Sequence, residues 1–177
     1  MNITVPTPSP TVPAGRAPSR LPAMTERATD SLTTWLASHS IAILRVSLGL
    51  VFLMFGILKF VPGASPAEEL AARTVQTLSL GMLPAQAALL LTAVVETFIG
   101  LTLVSGRLLR TGLMVMAVAL IGIMSPLVLF AADLFPGAPT LEAQYVLKDI
   151  VLVAAGLVIA ATALGAHLQA APAQERH

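Results

Sequence analysis

Cysteine is absent from the 177 residues. With it go disulfides, thiol redox chemistry, iron–sulfur ligation and thiolate zinc sites, so any redox role needs a bound cofactor or a partner subunit. Charge is scarce as well. Asp, Glu, Lys and Arg make up 11% of the chain, against about 25% in a soluble domain. A formal net charge of +1 argues against nucleic acid and against a strongly acidic partner. Glycine-rich phosphate loops, Ser/His/Asp sets and metal-spaced clusters are missing. His39, His167 and His177 fall at span ends or in a tail, so no two histidines face each other in mid-membrane to ligate haem.

Apolar residues dominate instead. They form 56% of the chain, and the mean hydropathy is +0.86. This is the composition of an integral membrane protein, and the length suits one small domain.

Prolines punctuate the start at Pro6, Pro8, Pro10, Pro13, Pro18 and Pro22. Residues 1–33 read as a disordered polar tail. No apolar stretch there resembles the core of a cleaved signal peptide. Residues 34–168 read as the membrane domain, with spans at about 35–61, 83–104, 108–131 and 141–166, each near the roughly 20 residues a bilayer needs. Residues 169–177 form a short polar tail. Between the first two spans, Ser65-Pro66-Ala67-Glu68 has the pattern of a capping box with proline at the first helical position. The helix that follows is too short to span, and its apolar side suits the bundle or the membrane surface. Pro126 in the third span frees the carbonyl of Gly122 and bends the helix. Thr140 suits the cap of the fourth span. The expected fold is all-α: a polytopic, antiparallel bundle of four transmembrane helices with a short interfacial helix between spans one and two. Arginines in the tail and at Arg107 and Arg110, against more acidic first and third loops, put both termini in the cytoplasm by the positive-inside rule.

The first span holds the most information. Arg45, Gly49, Phe52, Gly56 and Lys59 are spaced by four, three, four and three residues, so they share one stripe of one helix. Val46, Leu50, Val51, Leu53, Met54, Ile57 and Leu58 are left to face lipid. A charge in the hydrocarbon costs roughly 2.5–3.5 kcal/mol on insertion scales and needs a partner or water. By depth, Arg45 is matched to Glu96 of the second span as an intramembrane ion pair. Lys59 is matched to Asp149 of the fourth, with Lys148 left over. That inventory has an excess of positive charge, which suits an anionic or electron-rich ligand. The charges admit two readings: they fix helix register, or they build a site. Gly49, Gly56, Gly100 and Gly156 read as close-packing positions. Tyr145 reads as an interfacial anchor or a site phenol.

Three stretches together, LRVSLGLVFLMFGILKF (44–60), the lone Glu96 before Ile99-Gly100, and QYVLKDIVLVAAG (144–156), resemble the DoxX-like family of small bacterial membrane proteins. The resemblance covers all four spans. It implies a four-helix bundle in the bacterial inner membrane, and a link to quinone in a redox or oxidative-stress system. It carries over onto Arg45, Lys59, Glu96, Lys148 and Asp149. On that reading Lys59 and Lys148, with Tyr145 beside them, hydrogen-bond a quinone carbonyl, and Asp149 or Glu96 relays a proton. A protein partner in a redox complex follows from the same resemblance. The rival reading is a non-catalytic scaffold whose charges orient helices, and a weaker one is a carrier of small anions.

Overall fold

The computed structural model describes residues 20–65 and 68–166. The expected tail before residue 20, Pro66 as the first helical residue, and the polar segment 169–177 lie outside the described residues. Seven helices follow one another: α1 (Arg20–Leu58), α2 (Glu68–Leu78), α3 (Ala85–Ser105), α4 (Leu109–Met124), α5 (Pro126–Leu129), α6 (Ala131–Leu134) and α7 (Leu141–Ala163). No strand occurs among the described residues. Four stretches are long and apolar enough to cross a membrane: Ala28–Leu58, Ala85–Ser105, Leu109–Leu129 and Leu141–Ala163. The chain is an all-α polytopic bundle.

The chain divides into two compact units between Leu36 and Ala37. In the first, helix begins at Arg20, well inside the stretch that its prolines assign to a non-helical tail. Pro22 falls in the first turn, where its missing N–H has no intrahelical partner to lose. No further breaker occurs until Pro62. The hydroxyls of Thr29, Thr33 and Thr34 donate to carbonyls one turn back at 2.8 Å.

The second unit is the bundle. Its first helix ends after Leu58 by tightening: the N–H groups of Phe60 and Val61 donate to carbonyls three residues back at 3.1 Å. Pro62 and Gly63, the latter at φ +74°, complete the turn. The expected stripe is real, because Gly49, Phe52, Gly56 and Lys59 are buried while Leu50, Met54 and Ile57 are exposed. Leu53 is not on the lipid side as expected; it lies against Gly100 of α3.

Glycines bring α1 and α3 into backbone contact. A Cβ on Gly56 would sit 2.6 Å from the Thr97 nitrogen, and one on Gly100 would sit 2.6 Å from the Leu53 nitrogen. One on Gly49 would sit 2.9 Å from the Val104 nitrogen. Real side chains do not fit at such distances, so glycine is what permits the approach. The three contacts run in opposite senses along the two chains, which sets an antiparallel register.

Gly106 closes α3 in the left-handed conformation and donates to the Thr102 carbonyl at 3.0 Å. Helix α4 returns along α3 with Gly112 against Thr102, and α7 meets α4 where Gly156 faces the end of Met116. One apolar cluster, including Leu48, Phe52, Ile99, Leu103, Met116 and Ile159, packs the end of the bundle near the α3–α4 turn. A second, Leu70, Phe130, Leu134, Ala143 and Val146, packs the opposite end.

The third span breaks at Ser125. Proline at 126 cannot donate to Gly122, and the Ser125 hydroxyl takes that carbonyl at 2.7 Å. The expected continuous span of 108–131 is thus a helix followed by two single turns, α5 and α6. Thr140 caps α7 by accepting from the Ala143 N–H at 3.1 Å, and α7 ends at Ala163, short of the expected 166. The capping box before α2 does not form. Glu68 Oε2 accepts from the Gly63 N–H at 2.7 Å, and the Ser65 hydroxyl has no partner among the described residues. The turn at Gly63 presents its N–H to Glu68, so the carboxylate is used there.

Gly100→Ala should lower the thermal unfolding midpoint of the purified protein, at a cost of about 1–3 kcal/mol typical of overpacking. Gly122→Ala, where an added Cβ meets nothing within 4 Å, should hold or slightly raise it. Equal midpoints for the two variants would contradict the close approach of α1 and α3.

Candidate functional site

Register decides which charges meet. With Gly56 against Thr97, the residue just beyond the end of α1 lies beside the middle of α3. That residue is Lys59, and its Nζ donates to Glu96 Oε2 at 2.5 Å, both side chains being buried. Glu96 is eleven residues into α3, or roughly 16 Å from its start at the usual rise. The lysine also passes Phe55, with Nζ 5.8 Å from the ring centroid.

Glu96 therefore pairs with Lys59 and not with Arg45. The same register carries Arg45 to the α3–α4 turn, where its guanidinium lies against Gly106; a Cβ there would be 2.8 Å from Nη1. Arg45 Nε has no hydrogen-bond partner among the described residues. Depth counted from residue 35 misplaced it, because a helix start gives no information about how one helix slides along another.

The expected Lys59–Asp149 pair is replaced too. Lys59 is taken by Glu96, and Asp149 makes no hydrogen bond within the described residues. Both carboxyls nevertheless border one cavity of about 630 Å³ together with Lys59 and Tyr145. Its walls are otherwise mostly apolar, among them Phe52 and Phe55 of α1, Val95 of α3, Val115 and Ile123 of α4, and Val146 and Leu152 of α7. Lys148 is not part of this lining. It is exposed and stacks on Tyr145, with Nζ 4.9 Å from the ring centroid. Asp149 and Lys148 are consecutive and so point about 100° apart on a helix, and the carboxyl has the inward position. The lining thus holds one cation and two carboxyls, the reverse of the expected positive excess.

Helix α2 covers one side of the cavity. Leu70, Ala71, Thr74, Val75 and Leu78 line it, spaced as one face of a helix. The short helix packs on the bundle, one of the two placements its apolar side allows. Its opposite face carries Arg73, whose Nη2 donates to Asp133 Oδ2 at 2.7 Å and whose guanidinium sits 4.0 Å from the centroid of the Phe130 ring. In the sequence Arg73 and Asp133 read only as charges of the first and third loops. The available signal was their opposite sign in two loops that a four-span topology places at the same end.

Lys59→Met or Glu96→Leu alone leaves one buried charge without its partner and should destabilise the bundle by about 3–5 kcal/mol. The double variant should recover most of that loss. Arg45→Ala combined with Glu96→Leu should be additive within about 0.5 kcal/mol. Denaturant unfolding of these variants in a double-mutant cycle checks both, and coupling between Arg45 and Glu96 would overturn the register.

A family model described as DoxX matches residues 40–132. That segment takes in Arg45, the glycine stripe, Lys59, α2, Glu96 and α4, and stops before Tyr145 and Asp149. No curated protein and no solved structure matches the chain.

Proposed function

The chain belongs to the DoxX family, and from that premise we propose that it is a quinone-interacting membrane subunit of a redox or oxidative-stress system. One observation carries the reading: a cavity with mostly apolar walls has Lys59, Glu96, Asp149 and Tyr145 in its lining, inside the bundle. A quinone calls for this combination, an apolar slot for ring and tail and a few polar groups for its oxygens. Lys59 spends one N–H on Glu96 and keeps its other donors for a carbonyl. Asp149 and Glu96 can accept from the hydroxyls of the reduced head and pass a proton, and the Tyr145 phenol can donate or accept. Electron transfer itself falls to a bound cofactor or a partner subunit, since the chain brings no cysteine.

The charge balance argues against the small-anion carrier. Two carboxyls around one lysine repel a free anion, whereas a neutral head group meets donors and acceptors together. A structural reading keeps one specific support: the Lys59–Glu96 pair ties α1 to α3, as a scaffold protein would require. We place the protein in a bacterial cytoplasmic membrane from its DoxX membership, with both termini inside from Arg107 and Arg110 at the α3–α4 turn.

Native mass spectrometry of the detergent-purified protein, with solvent extraction, should return a stoichiometric quinone. Asp149→Asn should weaken binding of a decyl-tailed benzoquinone about tenfold, the scale of one hydrogen bond to a charged group. Lys148→Ala should leave the isotherm in place. Bulk lipid alone in the extract, with no binding of the added benzoquinone, would favour the scaffold.

A further inference from the structure

The cavity has a rim at membrane depth. Phe52, deep in its wall, is 3% exposed, whereas Met114 and Val118 of α4 are 68% and 71% exposed, although all three line it. Leu91 of α3 likewise lines the cavity and is 47% exposed. Side chains this open stand at an edge, not inside. All three rim residues belong to membrane-spanning stretches, so the edge faces lipid, not water.

Its level along the bundle follows from the α3–α4 register. Gly112 lies against Thr102. Six residues onward in opposite directions, 112 to 118 and 102 to 96, Val118 comes level with Glu96. The Lys59–Glu96 pair and the lipid-facing rim at Val118 therefore share one depth. Val118 is nine residues into α4, roughly 14 Å from its start, which is about the middle of a core near 30 Å thick. The apolar face of α2 forms another part of the wall.

We infer that the ligand is a bilayer-dissolved amphiphile whose polar head rests against Lys59 and Asp149 and whose apolar tail leaves through the rim at Leu91, Met114 and Val118. This rests on the cavity being a ligand site, as proposed above, and adds the route and the class. The tail adds affinity without being required, because the rim is apolar and opens where only acyl chains are present. The head is uncharged, because it crosses the hydrocarbon laterally to arrive. Lys59 and Asp149 then select among such amphiphiles for one with hydrogen-bonding oxygens.

The test uses two probes on the full chain in lipid nanodiscs: a benzoquinone with a decyl tail, and the same head without a tail. Val118→Trp fills the rim from a lipid-facing position, and Leu157→Trp adds equal bulk at another lipid-facing position, 67% exposed and outside the cavity lining. Val118→Trp should raise the Kd of the tailed probe by about tenfold or more and leave the tailless probe unchanged. Leu157→Trp should change neither. Unchanged binding of the tailed probe to Val118→Trp, or equal loss of both probes, overturns the tail route while the ligand site stands. If neither probe binds the unmodified protein, the quinone reading falls and this inference falls with it.

Discussion

Backbone contact between α1 and α3 is the constraint from which the rest of the bundle follows. Gly49, Gly56 and Gly100 remove the side chains that would hold the two helices apart. Once the backbones touch, sliding by even one turn would drive Leu53 or Thr97 into the opposing chain. The register is therefore a steric fact before it is an electrostatic one. It delivers Lys59 to Glu96 and Arg45 to the α3–α4 turn. A charge pair in hydrocarbon is costly to bury and is a weak source of net stability. Here it is placed by packing already in force, and each partner removes the penalty that the other would otherwise suffer alone.

Residues of both apolar clusters wall the cavity, Phe52 of one and Leu70 and Val146 of the other. One is drawn tight near the α3–α4 turn, where Gly49 on Val104 and Gly112 on Thr102 bring helices close. The other gathers α2, α6 and α7 at the far end. Between them α4 stops at Ser125, because Pro126 cannot continue the hydrogen-bond ladder. The chain goes on as α5 and α6, with Pro126 itself in the cavity wall. Helix α2 closes over the space with its apolar face, held outside by Arg73 on Asp133 and Phe130. An exposed ion pair is worth at most about 1 kcal/mol, so the buried face of α2, more than this contact, keeps the helix down.

The sequence was informative wherever local spacing carries the physics. The four apolar stretches, the stripe from Arg45 to Lys59, the consequence of Pro126 and the Thr140 cap all depend on residues a few positions apart. The glycines could be assigned to close packing, because helix approach in a membrane demands small residues. Pairing of charges across helices could not be read, since it depends on how one helix slides along its neighbour, and depth counted from an assumed start is wrong once that start moves. The beginning of α1 was missed for a related reason: Pro22 looks like a breaker until it is seen to occupy a first turn. Lys148 and Asp149 show the remaining limit. Adjacent residues on a helix point apart, and only the packed bundle tells which one faces the cavity.

The most direct measurement is the distance from Lys59 Nζ to Glu96 Cδ by solid-state NMR, using ¹⁵N-lysine and ¹³C-glutamate labels in lipid bilayers. The glycine-set register requires about 3–4 Å, the range of a direct charge-assisted hydrogen bond. A separation beyond about 6 Å, too long for any such bond, with Glu96 instead dipolar-coupled to the Arg45 guanidinium, would contradict it. That result would shift the register of α1 along α3 and take Lys59 away from Glu96.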